Sequence, residues 1–490
     1  MSTQSKQLMA QLKVLFEPTS VAVAGASNDP SKWGFRIFSN IVSGGFQGSI
    51  YAVNPNVPEV LNMKTYPRVT DIPGRVDLVV IVVPPPSVPP VMRDCAAKGV
   101  PAVVVITAGF AEVGGEGARL EQEITEIARS GGIRFVGPNC FGIINPHHKL
   151  YTQMPPVFPP PGPFGVISQS GNIIGTIARV LIQRAYGCSK CVSIGNQADL
   201  TAEDYLEYFA QDPLSKVILC YIEGFKDGAR FFRVAKEVSK KKPIILLKAG
   251  HTPAGARAAQ SHTASLAGSG AVIDAMCKQA GVIRVKSLDE LVDVGIAFLR
   301  QPLPKGRRVG VVTAGGGWGV LAADACAEAG LEVVALPQET LQELDSFMPP
   351  WWSRGNPVDL VAGTSGDNLF RAVETVLRCP VVDGVIMLGL MPVMNPGQFG
   401  RRSEGDDKDQ VRDAMVTGAA QTIDRLIEMS DRYGKPLIIA SEPLGFGSAV
   451  NRRIAHAIAD RHTVCYEMPH QAAEVFARLV QYGEYRRQEE

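Results

Sequence analysis

The feature that most constrains this chain is an alternation running through its whole length. Short apolar, β-branched runs are each followed by a helix-length amphipathic segment. That pattern belongs to parallel α/β domains, in which buried strands need helices to cover both faces of the sheet. In the first third the expected strands are SVAVAG (20–25), SIYAVN (49–54), DLVVIVVP (77–84), AVVVITAG (102–109) and IRFVGPN (133–139), with helices over 87–98 and 116–130. The stretch MPPVFPPPGP (154–163) reads as a linker, because so many prolines cannot continue a helix or a central strand.

A second set begins at FGVISQSG (164–171) and continues through KVILCYIEG (216–224), PIILLKAG (243–250) and VIRV (282–285), closing with a helix to about Arg300. The segment QPLPKGRR (301–308) marks the next break. A third set then runs RVGVVTAGGG (308–317), DGVIMLGL (383–390), PLIIASEP (436–443) and TVCYEM (463–468), with a polar, Gly-rich loop predicted over 394–409. The implied division is 1–150, 151–302 and 303–490, consistent with about three domains in 490 residues.

Composition narrows the function. Forty-nine basic and 48 acidic residues leave a net charge of +1, which argues against bulk binding to nucleic acid or a membrane surface. No apolar run reaches the roughly 18–20 residues of a membrane span, and the N-terminal residues lack the pattern of a secretory signal. Nine cysteines without framework spacing point to reduced thiols in a cytoplasm. Cys188 and Cys191 form a C-x-x-C with no second pair and no nearby histidine, so the pair reads as two thiols flanking a strand and no metal site is expected.

Four places are candidates for chemistry. The first is VAVAGASNDPSKWGF (21–35), a strand entering a Gly/Ser turn and then a helix. Such a turn aims backbone N–H groups at an anion such as a nucleotide phosphate, or it is a structural βα turn. The dinucleotide signature G-x-G-x-x-G is not matched and Asn54 stands where a ribose-binding acid would be, so a nucleotide-like ligand other than NAD fits better. The strand ends Gly25-Ala26-Ser27, Asn54-Pro55, Val83-Pro84, Thr107-Ala108-Gly109 and Pro138-Asn139-Cys140 together line one crevice in an open parallel sheet. Cys140 lacks a telling partner and reads as structural.

The second place is ISQSGNIIG (167–175), where Ser170 and Gly171 open a helix. Phosphate binding and simple N-capping both account for it. The third is VVTAGGGWGVLAADA (311–325), where Gly315, Gly316 and Gly317 precede a helix and something must approach that backbone closely. Two helix starts of this kind suit one dianionic phosphate held between them. The fourth is His262, in a loop of small residues after a strand. Glu223, at the end of another strand, has the chemistry to accept from one ring nitrogen and leave the other nucleophilic, or merely to cap the next turn.

Taken together these segments resemble the NDP-forming acyl-CoA synthetases, the superfamily that includes succinyl-CoA synthetase and ADP-forming acetyl-CoA synthetase. The marks are GASNDPSKWGF, VVPP, GPNCFGIIN (137–145), ISQSGN, SIGNQADL (193–200), SHTASLAG (261–268) and GNPVDL (355–360), in the family order. The resemblance implies an N-terminal Rossmann-like CoA-binding domain followed by two flavodoxin-like parallel α/β domains. It places Gly25, Ser27, Lys32, Asn54, Pro84 and Asn139 near coenzyme A, with Thr107 on the same strand-end crevice. It makes His262 the phosphohistidine, Glu223 its supporting glutamate, and Ser170-Gly171 with Gly315–Gly317 the paired helix starts that hold phosphate.

The implied chemistry converts acyl-CoA, phosphate and ADP to carboxylic acid, CoA and ATP, through acyl phosphate and phospho-His262. Two departures stand out: Ala264 where the family often has Gly, and Gly317-Trp318 where the family's turn often has Pro after two glycines. Trp318, Trp351 and Trp352 are candidates to shape an acyl pocket, and acetate or another short-chain acid is the family default. No stretch resembles the ATP-grasp module, so the resemblance implies a separate ATP-grasp β subunit in an α2β2-type assembly, with ADP or ATP and Mg2+ bound there. The alternative is a CoA-binding regulator of the same fold without turnover.

Overall fold

The computed structural model describes residues 3–250, 252, 255, 257, 270–361, 366–389, 408–441, 449–461 and 463–489. They form two compact units, Met1–Val292 and Asp293–Glu490. Among the described residues the first unit holds two seven-stranded sheets and the second one six-stranded sheet.

The first sheet contains β1 (Ser20–Ala24), β2 (Ser49–Val53), β3 (Glu59–Val60), β4 (Met63–Tyr66), β5 (Leu78–Ile81), β6 (Ala102–Val105) and β7 (Arg134–Val136). Their order is β3-β4-β2-β1-β5-β6-β7, parallel except for the β3–β4 hairpin. β1, β5 and β6 are buried throughout. That is why they read as unbroken Val/Ile/Ala runs rather than alternating ones. Each fully buried Val or Ile contributes about 1.5–3 kcal/mol relative to exposure.

The second sheet contains β8 (Ile143–Asn145), β9 (Leu150–Tyr151), β10 (Pro161–Ser168), β11 (Cys188–Ser193), β12 (Val217–Ile222), β13 (Ile244–Lys248) and β14 (Ile283–Val285). Its parallel core runs β14-β13-β12-β10-β11, the flavodoxin order. The β8–β9 hairpin adds on antiparallel to β11, pairing Ile144 with Cys191. Two readings are corrected here. The proline-rich stretch is not wholly a linker, because β10 begins at Pro161. Proline is tolerated at the irregular start of the strand, where the register with β11 shifts between Pro161 and Gly165. Cys188 and Cys191 lie within β11 rather than flanking it, both fully buried. The hairpin itself was not anticipated: strands this short carry too few residues to show a period.

Helices α1 (Thr3–Phe16), α2 (Trp33–Ser43), α3 (Val88–Lys98), α4 (Gly115–Ser130), α5 (Gly171–Gln183), α6 (Ala202–Gln211) and α7 (Gly228–Ser239) cover the sheets. α1 was also unforeseen. Its Phe16 is fully buried against Tyr208 and Phe209 of α6, with ring centroids 5.3 and 6.0 Å apart, so tertiary packing rather than local propensity holds it.

The second unit is built on β15 (Arg308–Thr313), β16 (Glu332–Val333), β17 (Val358–Asp359), β18 (Gly384–Leu388), β19 (Leu437–Ala440) and β20 (Cys465–Tyr466). All pairings are parallel, in the order β16-β15-β18-β19-β20, with β17 also on β15. Most of the stretch 394–409 lies outside the described residues, and a helix follows over Lys408–Tyr433.

Candidate active site

In the first sheet the order reverses between β1 and β5, and a crevice opens there beyond the carboxyl ends of the strands. β1 turns at Gly25, whose φ is +98°, and a Cβ at this point would lie 2.7 Å from the Val82 carbonyl oxygen. Gly34 is tighter still, since its Cβ would fall 1.9 Å from the Gly25 carbonyl oxygen. These two glycines press the start of α2 against the end of β1, which brings the helix's unbonded N–H groups to the crevice. Lys32 is the N-cap of α2. Trp33 follows, 48% exposed, with the Arg36 guanidinium 4.8 Å above its ring.

A cavity of about 610 Å3 occupies the crevice. Gly25, Lys32, Pro84, Thr107 and Asn139 line it from the first sheet, and Ser170 and Gly171 from the second. Two expected residues stand behind the wall. The Asn54 side chain donates to the Ala26 carbonyl at 2.7 Å, and the Ser27 hydroxyl accepts from the Asp29 amide at 3.0 Å. Both shape the turn that the cavity uses.

Asn139 has a left-handed backbone (φ 56°), fixed by its amide bond to the Thr107 carbonyl at 2.9 Å. Its side-chain amide donates to Asn196 Oδ1 at 3.3 Å, and Asn196 Nδ2 in turn donates to Glu112 at 2.6 Å and Glu121 at 2.8 Å. Burial alone would raise the Glu112 carboxyl. The Asn196 amide and the Gly109 and Phe110 N–H groups outweigh it and hold the group below the usual carboxylate range. Cys140 also faces the cavity. Its thiol bonds the Val105 carbonyl at 3.2 Å and burial pushes it up to about 12, which leaves it un-ionised and structural.

The second sheet has its own reversal, between β10 and β12. Ser170 is the N-cap of α5, and the Ser168 hydroxyl donates to its carbonyl at 2.8 Å. Between them Gln169 lines the cavity, while its Oε1 accepts from the Glu223 amide at 2.8 Å and the Gly224 amide at 3.0 Å. Glu223, 6% exposed, therefore sits directly behind the cavity wall. Lys248 of β13, 2% exposed, donates to the Glu223 carbonyl at 2.6 Å. Burial lowers its basicity, Arg284 lowers it further, and Glu223 opposes both. Burial, then the charge and hydrogen bond of Glu223, push the Tyr221 hydroxyl up to about 12. Glu223 is thus engaged from the turn after β10, from β12 and from β13. His262 lies outside the described residues.

In the second unit Gly315 caps the helix Gly316–Glu328. The Thr313 hydroxyl bonds the Gly315 carbonyl at 2.8 Å, the same device as Ser168 and Ser170. A Cβ on Gly316 would lie 2.8 Å from Asp359 Oδ2, whereas Gly315 and Gly317 meet nothing within 4 Å. Internal crowding therefore explains only the middle glycine. Trp352 is buried, bonding Asp345 at 2.7 Å, and Trp351 is 71% exposed.

Sequence reasoning gave no role to Gln169, Asn196 or Trp33. Each lies inside a quoted motif, but Gln169 and Asn196 find their partners on distant segments, which local spacing does not betray, whereas Trp33 faces Arg36 one helical turn on.

One crevice lined from the ends of the first two sheets, with the starts of α2 and α5 on its wall, is the arrangement of a nucleotide-handling α/β protein. Family profiles extend this: a CoA binding domain matches residues 19–146, a succinyl-CoA ligase-like flavodoxin domain 161–298 and a ligase-CoA domain 309–402. The α subunit of ADP-forming acetate–CoA ligase II from Pyrococcus furiosus is 46% identical over 382 residues, covering 78% of this chain and 83% of that one. The α subunit of ligase I from the same organism is 44% identical, covering 85% and 93%. A longer ADP-forming acetate–CoA ligase from Methanocaldococcus jannaschii is 44% identical, and the match spans 72% of this chain but 49% of that one. A solved structure from Ca. Korarchaeum cryptofilum, described as a dinucleotide-forming acetyl-coenzyme A synthetase 1 in complex with phosphate and ADP, superposes with a TM-score of 0.83. It is 34% identical and covers 98% of both chains.

The chain belongs to the ADP-forming acyl-CoA synthetases, a family of acid–thiol ligases, as an α-type subunit. The relatives are ligases by name, and the alternative of a regulator without turnover gains nothing from them. Among the described residues no helix is long and apolar enough to cross a membrane.

Proposed function

We propose that this chain binds acyl-CoA in the cavity between its first two sheets and converts it, with phosphate, to an acyl phosphate and CoA. His262 then takes the phosphoryl group, releasing the carboxylic acid, and passes it to ADP on a separate ATP-grasp β subunit that also holds Mg2+. Acetate or another short-chain acid is the substrate, the assembly is of α2β2 type, and the site of action is the cytoplasm. The labour divides along the chain: residues 1–150 hold CoA, 151–302 carry the phosphohistidine, and 303–490 supply the second helix start.

The observation that carries this reading is one cavity running from the Gly25 turn to the start of α5 at Ser170. Lys32 and the start of α2 suit the anionic end of CoA. Gly25, Pro84, Thr107 and Asn139 suit its pantetheine arm, with Ser27 and Asn54 supporting the turn. Ser170, Gly171 and Gly315–Gly317 suit phosphate through helix N-termini rather than a basic cluster, in keeping with a net charge of +1. Glu223 would hold the His262 ring in the tautomer that leaves one nitrogen nucleophilic.

The test is to incubate the purified chain with acetyl-CoA and phosphate, alone and with the ATP-grasp partner, and to record intact mass and free CoA. The expected result is an acid-labile gain of one phosphoryl group that His262→Ala abolishes. No gain under either condition would overturn the catalytic reading.

A further inference from the structure

Gln169 stands out because its two ends do different things. Its carbonyl end is used twice, accepting from the amides of Glu223 and Gly224. This fixes the flip of the side-chain amide, since an NH2 group turned that way would meet two donors. The NH2 end must then point away from the Glu223 turn. The residue is 8% exposed and lines the cavity beside Ser170 and Gly171. Among the described residues that NH2 group has no hydrogen-bond partner within the protein, although the side chain carrying it is more than nine-tenths buried. A side chain buried along most of its length, whose two unused donors open onto the cavity and whose other end is held in place, is aimed at a ligand acceptor.

We infer that Gln169 is a catalytic residue whose side-chain N–H groups stabilise the oxygen of the reacting acyl group. This rests on the function proposed above and adds a step to it. A phosphate oxygen bonds to the thioester carbon while the carbonyl π pair moves onto oxygen, and Gln169 donates to the resulting oxyanion. When that pair returns, the C–S bond breaks and CoA leaves as thiolate, taking up the proton released by phosphate. The product is acyl phosphate. The donor costs no reorganisation as the charge forms, because Glu223 and Gly224 already orient it.

The test uses Gln169→Glu, which keeps an accepting oxygen for the Glu223 and Gly224 amides and replaces the donor with a carboxylate. Phosphoryl incorporation into the full chain is measured from two sources: acetyl-CoA with phosphate, and acetyl phosphate, which bypasses the thioester step. Removing one such donor should slow the acetyl-CoA route about 100-fold or more. The acetyl phosphate route should fall less than tenfold, and CoA affinity by calorimetry should stay within about threefold. An unchanged acetyl-CoA rate, or an equal fall on both routes, would overturn the inference while leaving the functional reading intact. Absence of incorporation in the unsubstituted chain from either source would overturn both. If the Glu variant no longer melts cooperatively, neutral Gln169→Met takes its place under the same criteria.

Discussion

The Lys248 ammonium donates to the main-chain carbonyl of Glu223 at 2.6 Å and to that of Ala249 at 2.5 Å, across the carboxyl ends of β12 and β13. A buried ammonium is costly, and a packing role alone would be served by leucine or methionine. What lysine adds is two bonds that hold the strand end bearing Glu223.

Lys248→Met should therefore have a small effect on stability and a large one on rate. Two carbonyls lose a donor, but a desolvated charge is also removed, so the net change in unfolding free energy should stay within about 2 kcal/mol. Phosphoryl incorporation from acetyl-CoA should fall at least tenfold. Urea melts beside the mass assay check this, and a variant with the original rate would show that the bonds to Glu223 are idle.

Gly34→Ala should abolish tight CoA binding. A methyl 1.9 Å from the Gly25 carbonyl oxygen forces α2 away from β1 and spoils the turn. Calorimetric titration with CoA should show at least a tenfold loss, whereas Gly74→Ala, where a Cβ meets nothing within 4 Å, should bind normally but lose stability because its φ is +76°.

Thiol chemistry should bypass the cavity. Eight of the nine cysteines are buried and Cys465 is partly exposed. With its thiol pushed up to about 12, Cys140 carries almost no thiolate at pH 8. Iodoacetamide labelling followed by peptide mass mapping should find Cys465 modified first, and Cys140→Ala should leave CoA affinity within about threefold. Early alkylation of Cys140, blocked by CoA, would assign it a role in the site.

Acid should weaken both units through paired aspartates. Burial opposes ionisation of Asp77, but the Thr19 hydroxyl and amide and then Arg75 outweigh it, so its folded pKa lies below the unfolded value. Asp383 is likewise held down, against burial, by Arg308. A carboxyl with a depressed folded pKa adds stability above its unfolded pKa of about 3.9, and that stability is lost as pH falls through the folded value. Melting temperature should hold from pH 7 to about 5 and drop below about 4. Asp77→Asn should melt lower at neutral pH and show a shallower acid decline.

Much of this is legible in the sequence. Long buried strands such as Leu78–Ile81 and Val217–Ile222 announce themselves as apolar runs, and the glycine turn at Gly25 follows from the positive φ its backbone adopts. The β8–β9 hairpin, α1 and the roles of Gln169, Asn196 and Lys248 did not show. Each depends on partners far away in sequence: Asn145 bonds the carbonyl of Phe16, and Gln169 the amides of Glu223 and Gly224. Spacing records what a residue's neighbours along the chain require, and these residues answer to other strands.

The hairpin Ile143–Tyr151 precedes the proline-rich stretch in sequence, yet it is the edge of the second sheet. The chain between β7 and β8, which carries Asn139, Cys140 and Phe141 on the cavity wall, crosses from one sheet to the other. A recombination event at residues 154–163 would hand one descendant a hairpin without the strand it pairs with, and the other a bare β11 edge. The proline-rich stretch looks like a seam but cannot be inherited as one: the crevice beyond the first sheet and the strand end bearing Glu223 must pass together or not at all.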